Sequence, residues 1–413
     1  MTSYSRKALL AYGLFGLPLA LVALPVYVLV PQLYATKFGL SLSLIGAILL
    51  VARIFDAFID PLLGLWIDRK KSAHGYAGFI LLALPLLICG FIGLFHPPAI
   101  QRGLLLVWFS VSLMLVYLGF SLATIAHGSW GANLTQQRGQ RARLTAMREG
   151  CALLGVMLAA AVPAIFGLGW LTVMFIATLL SATFVLLRLA PRATNLPGLS
   201  FLWTDLITPF HNRAFRWLMA IFAANGIAAA IPATLFLFFA ADRLQLANYA
   251  GLFLVLYFFS AACALPLWVA LAMRIGEASA WLISMLMAIA IFAWAFTLAP
   301  GALIGFALIC MFSGAALGAD LALPPALLAG AIGLAGHEGQ REGAYFGAWS
   351  WVTKMNLAMA AGIALPMLEL LGYTPGNTNA TGSEALGIAY ALVPCGLKCI
   401  AALLLWRAPF KNL

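Results

Sequence analysis

Apolar residues fill the chain in runs of about 20, each long enough to cross a hydrocarbon core of roughly 30 Å, and polar residues are confined to short breaks between them. The runs predict about twelve transmembrane helices, near residues 8–34, 43–66, 77–96, 103–129, 145–167, 169–190, 215–240, 247–271, 278–298, 302–333, 343–371 and 386–407. Links containing Gly and Pro separate most of them, as in Phe95-His96-Pro97-Pro98 and Ala299-Pro300-Gly301. The apolar run after Lys7 is too long for a cleavable signal and lacks a small-residue cleavage site, so it reads as a retained first span. The longest polar segment, about Pro191 to Trp217, is too short to bury a core of its own.

Composition turns this pattern into a fold class. Of the 413 residues, 64% are apolar and 8% are charged, whereas a soluble domain needs roughly 25% charged residues to solvate its surface. The outer surface must therefore face a lipid bilayer, and the expected fold is an all-α polytopic membrane protein. The basic link in the middle divides it into residues 1–190, a linker at 191–214 and residues 215–413, two halves with equal numbers of spans. Repeated halves recur in carriers that alternate access around a central site. Here span count alone carries the repeat, since the halves lack residue-by-residue identity. The six cysteines (Cys89, Cys151, Cys263, Cys310, Cys395 and Cys399) fall inside apolar runs. They read as small core residues, with no disulfide framework, no metal site and no cofactor.

The net charge of +11 looks at first like an affinity for nucleic acid, but the placement of the charges gives another explanation. With the N-terminus in the cytoplasm, three of the 23 Lys and Arg residues fall in external links (Lys37, Arg102, Arg243) and three inside spans (Arg53, Lys354, Lys398). The other 17 lie in cytoplasmic segments and span ends, including Gln136 to Arg143. That asymmetry is the positive-inside pattern: it predicts both termini inside, no nucleic-acid partner, and attraction to anionic headgroups.

Ionisable groups within spans cost about 2.5–3.5 kcal/mol each on insertion scales and mark functional sites by default. Span two holds Arg53, Asp56 and Asp60, span ten Asp320, span eleven Lys354 and span twelve Lys398. Asp56 and Asp60 are spaced i, i+4, so both carboxylates lie on one helical face about 6 Å apart along the axis, with Arg53 one turn before. Two such acids in a low dielectric need a cation beside them: a proton, Na⁺, or a Lys from another helix. The alternative is an ion-pair knot that only holds helices together. Counted from the span ends, Asp56 lies roughly 15 Å deep and Lys354 roughly 16 Å deep, so both reach the bilayer midplane from different halves of the chain.

Span two ends in Gly64-Leu65-Trp66-Ile67-Asp68-Arg69-Lys70-Lys71, which resembles the G-x-x-x-D-R loop of the major facilitator superfamily. Asp68 suits a neighbouring helix N-terminus, and Arg69 an acid on an adjacent helix in one access state. The stretch Leu50 to Gly64, with Arg53, Asp56, Asp60-Pro61 and Gly64, resembles the R-x-x-D-x-x-x-D-P-x-x-G block of the glycoside–pentoside–hexuronide:cation symporters. Asn133-Leu134-Thr135 continuing to Arg143 through Glu149, and Gly339 through Gly347 leading to Thr353-Lys354, are similar to further blocks of that family. The resemblance implies a cation-coupled symporter of a small, sugar-like solute. Asp56 and Asp60 would hold the cation, with Ser121 as a possible hydroxyl ligand. Lys354 would couple the two sites, Arg148 would lie near the sugar, and Gly64, Asp68 and Arg69 would form the gating loop. Two departures stand out. Ile59 replaces an amide the family often has before the second acid, which favours H⁺ over Na⁺. The acids that grip sugar hydroxyls on spans one and four are missing, and Thr124 stands near where the second would be.

Further candidates for the substrate pathway are His127, Asn225 beside Gly226, Asp320 (or its pairing with Lys398) and Trp349, whose ring can stack on a sugar or simply pack. Without the sugar-gripping acids the pathway is greasier. A carrier of amphipathic, lysolipid-like substrate is therefore the alternative, as the resemblance to eukaryotic lysolipid carriers implies. A membrane-embedded enzyme would need a nucleophile–base or metal set at the membrane surface, and no such set is evident. The expected protein is a monomer in the bacterial inner membrane.

Overall fold

The computed structural model describes residues 6–40, 42–134, 138–191, 207–370, 373 and 380–410. Expectations that fall on Thr135, on 136–137 of the basic segment and on 192–206 of the linker lie outside the described residues.

Among the described residues the chain is helical, without a strand. The helices are α1 (Arg6–Gly13), α2 (Gly16–Phe38), α3 (Leu42–Phe95), α4 (Arg102–Leu134), α5 (Arg138–Phe166), α6 (Leu168–Leu189), α7 (Thr208–His211), α8 (Arg213–Phe238), α9 (Ala250–Ile275), α10 (Glu277–Ala295), α11 (Leu303–Leu334), α12 (Glu342–Leu370), α13 (Ala380–Gly387) and α14 (Val393–Arg407). Nine stretches of the described residues are long and apolar enough to cross a membrane. The remaining expected spans fall on α2, the first leg of α3, and α12.

Two expected boundaries differ from what is observed. The first span breaks between α1 and α2 at Leu14 and Phe15, because the ring of Pro18 crowds the carbonyl four residues back, that of Leu14. Spans two and three form one continuous element, α3, bent at Gly75 with φ 60° and ψ −166°. Only glycine adopts that backbone readily, so the turn between the two spans shrinks to a single residue.

The chain groups into two compact units, Met1–Pro209 with Ile332–Trp351, and Phe210–Ala331 with Val352–Leu413. In the first, α2 runs along α5 and the second leg of α3 along α4. Small residues make both contacts close, as expected where lipid supplies no hydrophobic drive and packing must hold helices together. A Cβ at Gly16 would stand 2.6 Å from the Arg148 carbonyl oxygen, and one at Gly90 2.8 Å from the Val116 nitrogen.

The second unit is held by aromatics and by two π-turns. Phe239–Arg243 continues α8 and Ile388–Leu392 precedes α14, each with one extra residue in the turn. Phe239 and Tyr390, one from each π-turn, stack at 3.9 Å and 9°, and Phe306 of α11 closes on both. The Arg243 guanidinium donates to the carbonyls of Phe296, at the end of α10, and Ser383 of α13, both at 2.7 Å. Beside it Asp242 accepts from the Tyr373 hydroxyl.

Candidate functional site

The first leg of α3 has two faces. Val51, Ile54, Phe58 and Leu62 are exposed, as a lipid-facing stripe requires, while Ala52, Asp56, Asp60 and Gly64 repeat at i, i+4 on the buried side. Asp56 is 3% exposed and Asp60 0%. Ser121 of α4 donates to Asp56 Oδ1 at 2.8 Å. One turn earlier on α4, the Tyr117 hydroxyl lies within reach of both Arg53 and Asp56. One turn later, the Thr124 hydroxyl oxygen is buried with no hydrogen-bond partner among the described residues. Tyr117, Ser121 and Thr124 thus line one face of α4 at i, i+4, i+7, opposite Arg53 and Asp56. Two carboxylates and a row of hydroxyls, sealed from solvent, form a donor set for a small cation.

At the end of this leg, Gly64 and Asp68 meet the start of α12. Asp68 accepts from the N–H groups of Gly343 and Ala344 at 2.8 and 2.7 Å. These are the second and third helical residues, whose donors an N-cap side chain normally satisfies. Arg341, in the N-cap position, has no acceptor to offer, so α3 supplies the cap from 275 residues away in sequence. The backbones approach closely enough that a Cβ on Gly64 would strike the Gly343 carbonyl, and one on Gly343 the Gly64 carbonyl. One turn on, a Cβ at Gly347 would stand 2.7 Å from the Asp60 carbonyl oxygen. Glu342 completes the junction: its carboxylate accepts from Asn133 Nδ2 at 3.0 Å, from the Tyr76 hydroxyl at 3.2 Å and from the Gly339 N–H. Just before α12, His337 Nδ1 lies 2.8 Å from the Tyr345 hydroxyl. Burial, and then the Arg341 charge, push its imidazole below the usual range, so it is neutral at pH 7.

A third cluster joins α1, α4 and α5. The Tyr12 hydroxyl donates to the His127 carbonyl at 2.9 Å, and His127 Nε2 lies 3.0 Å from the Tyr12 carbonyl. A carbonyl only accepts, so Nε2 carries the proton. The His127 ring packs against Tyr12 and Phe15. Arg148 stands beside Tyr12 and donates from Nε and Nη2 to Glu149 Oε1, at 2.9 and 2.6 Å.

The second unit holds the other candidates. Asp320 accepts from Lys398 Nζ at 2.8 Å and from Trp281 Nε1 at 2.7 Å, an ion pair with a fixed indole donor. Asn225 is buried with its side-chain oxygen unpartnered among the described residues. Asn356 reaches from α12 to the Phe222 carbonyl at 3.4 Å, beside Gly226. Lys354 is 7% exposed in this unit, and Trp349 is buried in the first.

Against known families, the description MFS/sugar transport protein matches residues 8–412. The chain belongs to the MFS/sugar transport protein family. A family member from Escherichia coli (strain K12), the Glucuronide carrier protein homolog, is 26% identical over 403 residues, 92% of this chain and 87% of that protein. Other relatives match over part of their length. The Putative glycoside/cation symporter YagG of the same strain is 28% identical over 150 residues, 36% of this chain and 32% of that protein. The Isoprimeverose transporter of Lactiplantibacillus pentosus is 30% identical over 124 residues, 30% of this chain and 26% of that protein. The matched stretch thus spans about a third or less of the length of these two relatives. Among solved structures, the Major Facilitator Superfamily transporter FucP in the outward conformation aligns with TM-score 0.69 at 14% identity, covering 96% of this chain and 98% of that one. A bacterial homologue of the iron transporter ferroportin in an outward-facing state aligns with TM-score 0.72 at 16% identity, covering 98% and 99%. At those identities the likeness establishes the fold alone, an all-α major facilitator fold.

Family membership makes the chain a multi-pass membrane protein of a transport family rather than an enzyme. Within it, the blocks that carry the resemblance meet in space: Asp60, Gly64 and Asp68 from the first, Asn133 from the second, and Glu342, Gly343 and Gly347 from the third. Several polar residues of these clusters were not singled out from the sequence, among them Tyr76 and Trp281. Tyr117 sits one turn before Ser121, a spacing that marks it. Glu342 and Glu149 lie inside quoted blocks, as ordinary acids next to basic residues. Tyr12 precedes a glycine in an apolar run and carries no signal of its own.

Proposed function

We propose that this protein is a cation-coupled symporter that moves a small, sugar-like solute by alternating access, with H⁺ as the coupling ion. The observation that carries the reading is the sealed Asp56–Asp60 face with Ser121 bonded to Asp56. Asp56 and Asp60 put two carboxylates on one helical face beside Arg53, and a mobile cation is a partner such a face can take and release. Na⁺ needs several oxygen ligands to replace its water, while a proton needs one carboxylate. Ile59, between the acids, brings no side-chain oxygen. The full-length relative is called a glucuronide carrier homolog and the partial ones a glycoside/cation symporter and an isoprimeverose transporter, which supports a sugar-like cargo over a lysolipid. Lys354 would sense the cation from α12. Arg148 would face the solute, with Asn225, Trp349 and Asp320 as further pathway candidates. The Asp68–α12 junction would close one end, with Arg69 beside it as part of the gating loop. The basic-residue asymmetry supports a cytoplasmic position for that end and for both termini; the reading is completed by a bacterial inner membrane and a monomeric chain.

The test is glycoside uptake into proteoliposomes under an imposed pH gradient without Na⁺, and then under a Na⁺ gradient with a protonophore present. The proton arm should drive accumulation. Accumulation driven by Na⁺ alone overturns the ion assignment, and inhibition by lysolipids but not by free sugars overturns the cargo.

A further inference from the structure

Building on the sugar-symporter reading, we propose that Glu149 sets the charge selectivity of the pocket: by holding the Arg148 guanidinium it makes the site take a neutral polyhydroxylated solute and disfavour the carboxylated form of the same sugar.

The two side chains are neighbours in sequence, roughly 100° apart around a helix, so they do not meet by the usual i, i+4 geometry. Both have turned toward the same space, where Arg148 Nε and Nη2 converge on one oxygen, Glu149 Oε1. Their side chains keep 17% and 18% of their surface exposed, and Arg148 sits about 12 Å into its span, eight residues past Gln140 at the helical rise. Tyr12, which stands beside Arg148, packs with Phe15 against the His127 ring. His127 adds no free donor through Nε2, which is engaged by the Tyr12 carbonyl.

Charge then decides what fits. A guanidinium alone in a low-dielectric pocket is a carboxylate receptor, with paired donors matching the two oxygens. With Glu149 bonded to it the pair is neutral, and an arriving anion meets a carboxylate at close range where repulsion is poorly screened. A neutral diol meets no such penalty. Arg148 still has N–H donors for a hydroxyl oxygen, and Glu149 Oε2 remains an acceptor for a hydroxyl hydrogen. Glu149 thereby returns one carboxylate to a pocket that lacks the acids expected on spans one and four, from a different helix.

The experiment measures binding of matched nitrophenyl glycosides to the purified protein, each sugar as the neutral hexoside and as its 6-carboxylate. The wild type should bind the neutral member at least about tenfold more tightly. Glu149→Gln should free Arg148 and move that ratio toward the carboxylate by about tenfold or more, and adding Arg148→Gln should cancel the gain. A wild type that prefers the carboxylate overturns the inference without any variant being made. Equal weakening of both ligands in Glu149→Gln also overturns it, because that marks a merely structural pair. If no glycoside of either kind binds, the sugar-symporter reading itself fails and this inference falls with it.

Discussion

Two acids in apolar spans of this chain, Asp56 and Asp320, have opposite surroundings. Asp320, in the second unit, is matched one-to-one by Lys398 at 2.8 Å and further held by the Trp281 indole at 2.7 Å. Asp56, in the first unit, receives a serine hydroxyl, and a second carboxylate lies one turn away. The first arrangement sums to zero charge with parts that belong permanently to the protein. The second puts two carboxylates on one helical face, with Arg53 one turn before them. In a bilayer interior a one-to-one pair neutralises itself, while two acids on one face favour a cation beside them. The contrast is between an acid matched by a single base and an acid that shares its face with a second acid, although both are Asp in apolar spans.

The largest expected effect comes from removing one acid of the Asp56–Asp60 face. Asp56→Asn or Asp60→Asn should reduce uphill accumulation of solute to simple equilibration, because the cation no longer has a site to ride. Lys354→Ala should do the same while leaving insertion and expression intact. Proteoliposome uptake under an ion gradient measures all three. Concentrative uptake by Asp60→Asn would dissolve the contrast, since Asp60 would then be as structural as Asp320.

Breaking the fixed pair should act on stability instead. Asp320→Leu strands Lys398 in a site where the two side chains are only 12% and 11% exposed, and losing one partner of a buried pair costs about 3–5 kcal/mol. Replacing both, as Asp320→Leu with Lys398→Met, should recover most of that. Thermal unfolding in detergent reads the cost, and uptake by the double variant should persist. Abolished coupling in a stable double variant would move Asp320 into the ion pathway.

A smaller effect is expected at the junction that closes the first unit. Asp68→Asn keeps one acceptor oxygen and loses the charge, so one of the bonds to Gly343 and Ala344 goes. N-cap losses of this kind are worth about 0.5–2 kcal/mol. A cysteine placed at Ala348, buried near this junction, should then react with maleimide up to about tenfold faster, since 1.4 kcal/mol is a factor of ten. An unchanged rate would show that the cap contributes nothing to closure.

These comparisons also mark what could be read in advance. The shared face of Asp56 and Asp60 follows from helical spacing, and so does the suitability of Asp68 for a helix N-terminus. Which N-terminus it caps does not, because Gly343 is 275 residues away and only the fold brings it near. The bend at Gly75 was hidden because the polar link from Asp68 to His74 reads as a loop between the spans, whereas the backbone stays helical through it up to Gly75. The π-turns at 239–243 and 388–392 add one residue each with no compositional mark. The Arg148–Glu149 contact was hidden because spacing rules look three and four residues ahead, not one.

The finest test of the contrast is Ser121→Ala. The Ser121 hydroxyl donates to Asp56 Oδ1 at 2.8 Å, and one such bond to a charged group is worth about 1.5–3 kcal/mol at most, less when water replaces it. The change is therefore a modest one in the half-saturating cation concentration, on the order of tenfold. Its sign depends on the ion. For Na⁺ the serine oxygen is a ligand, so its loss weakens binding and raises the half-saturating Na⁺ concentration. For H⁺ the serine proton competes with the incoming one for the same carboxylate, so its loss tightens binding and lowers the half-saturating H⁺ concentration. Uptake rates measured against pH at zero Na⁺, and against Na⁺ at fixed pH, read both directions in one variant. The H⁺ assignment requires the pH dependence to shift toward lower proton concentration, with no Na⁺ dependence in either protein. A shift toward a higher half-saturating Na⁺ concentration would mean that Ser121 is a ligand and that the coupling ion is Na⁺.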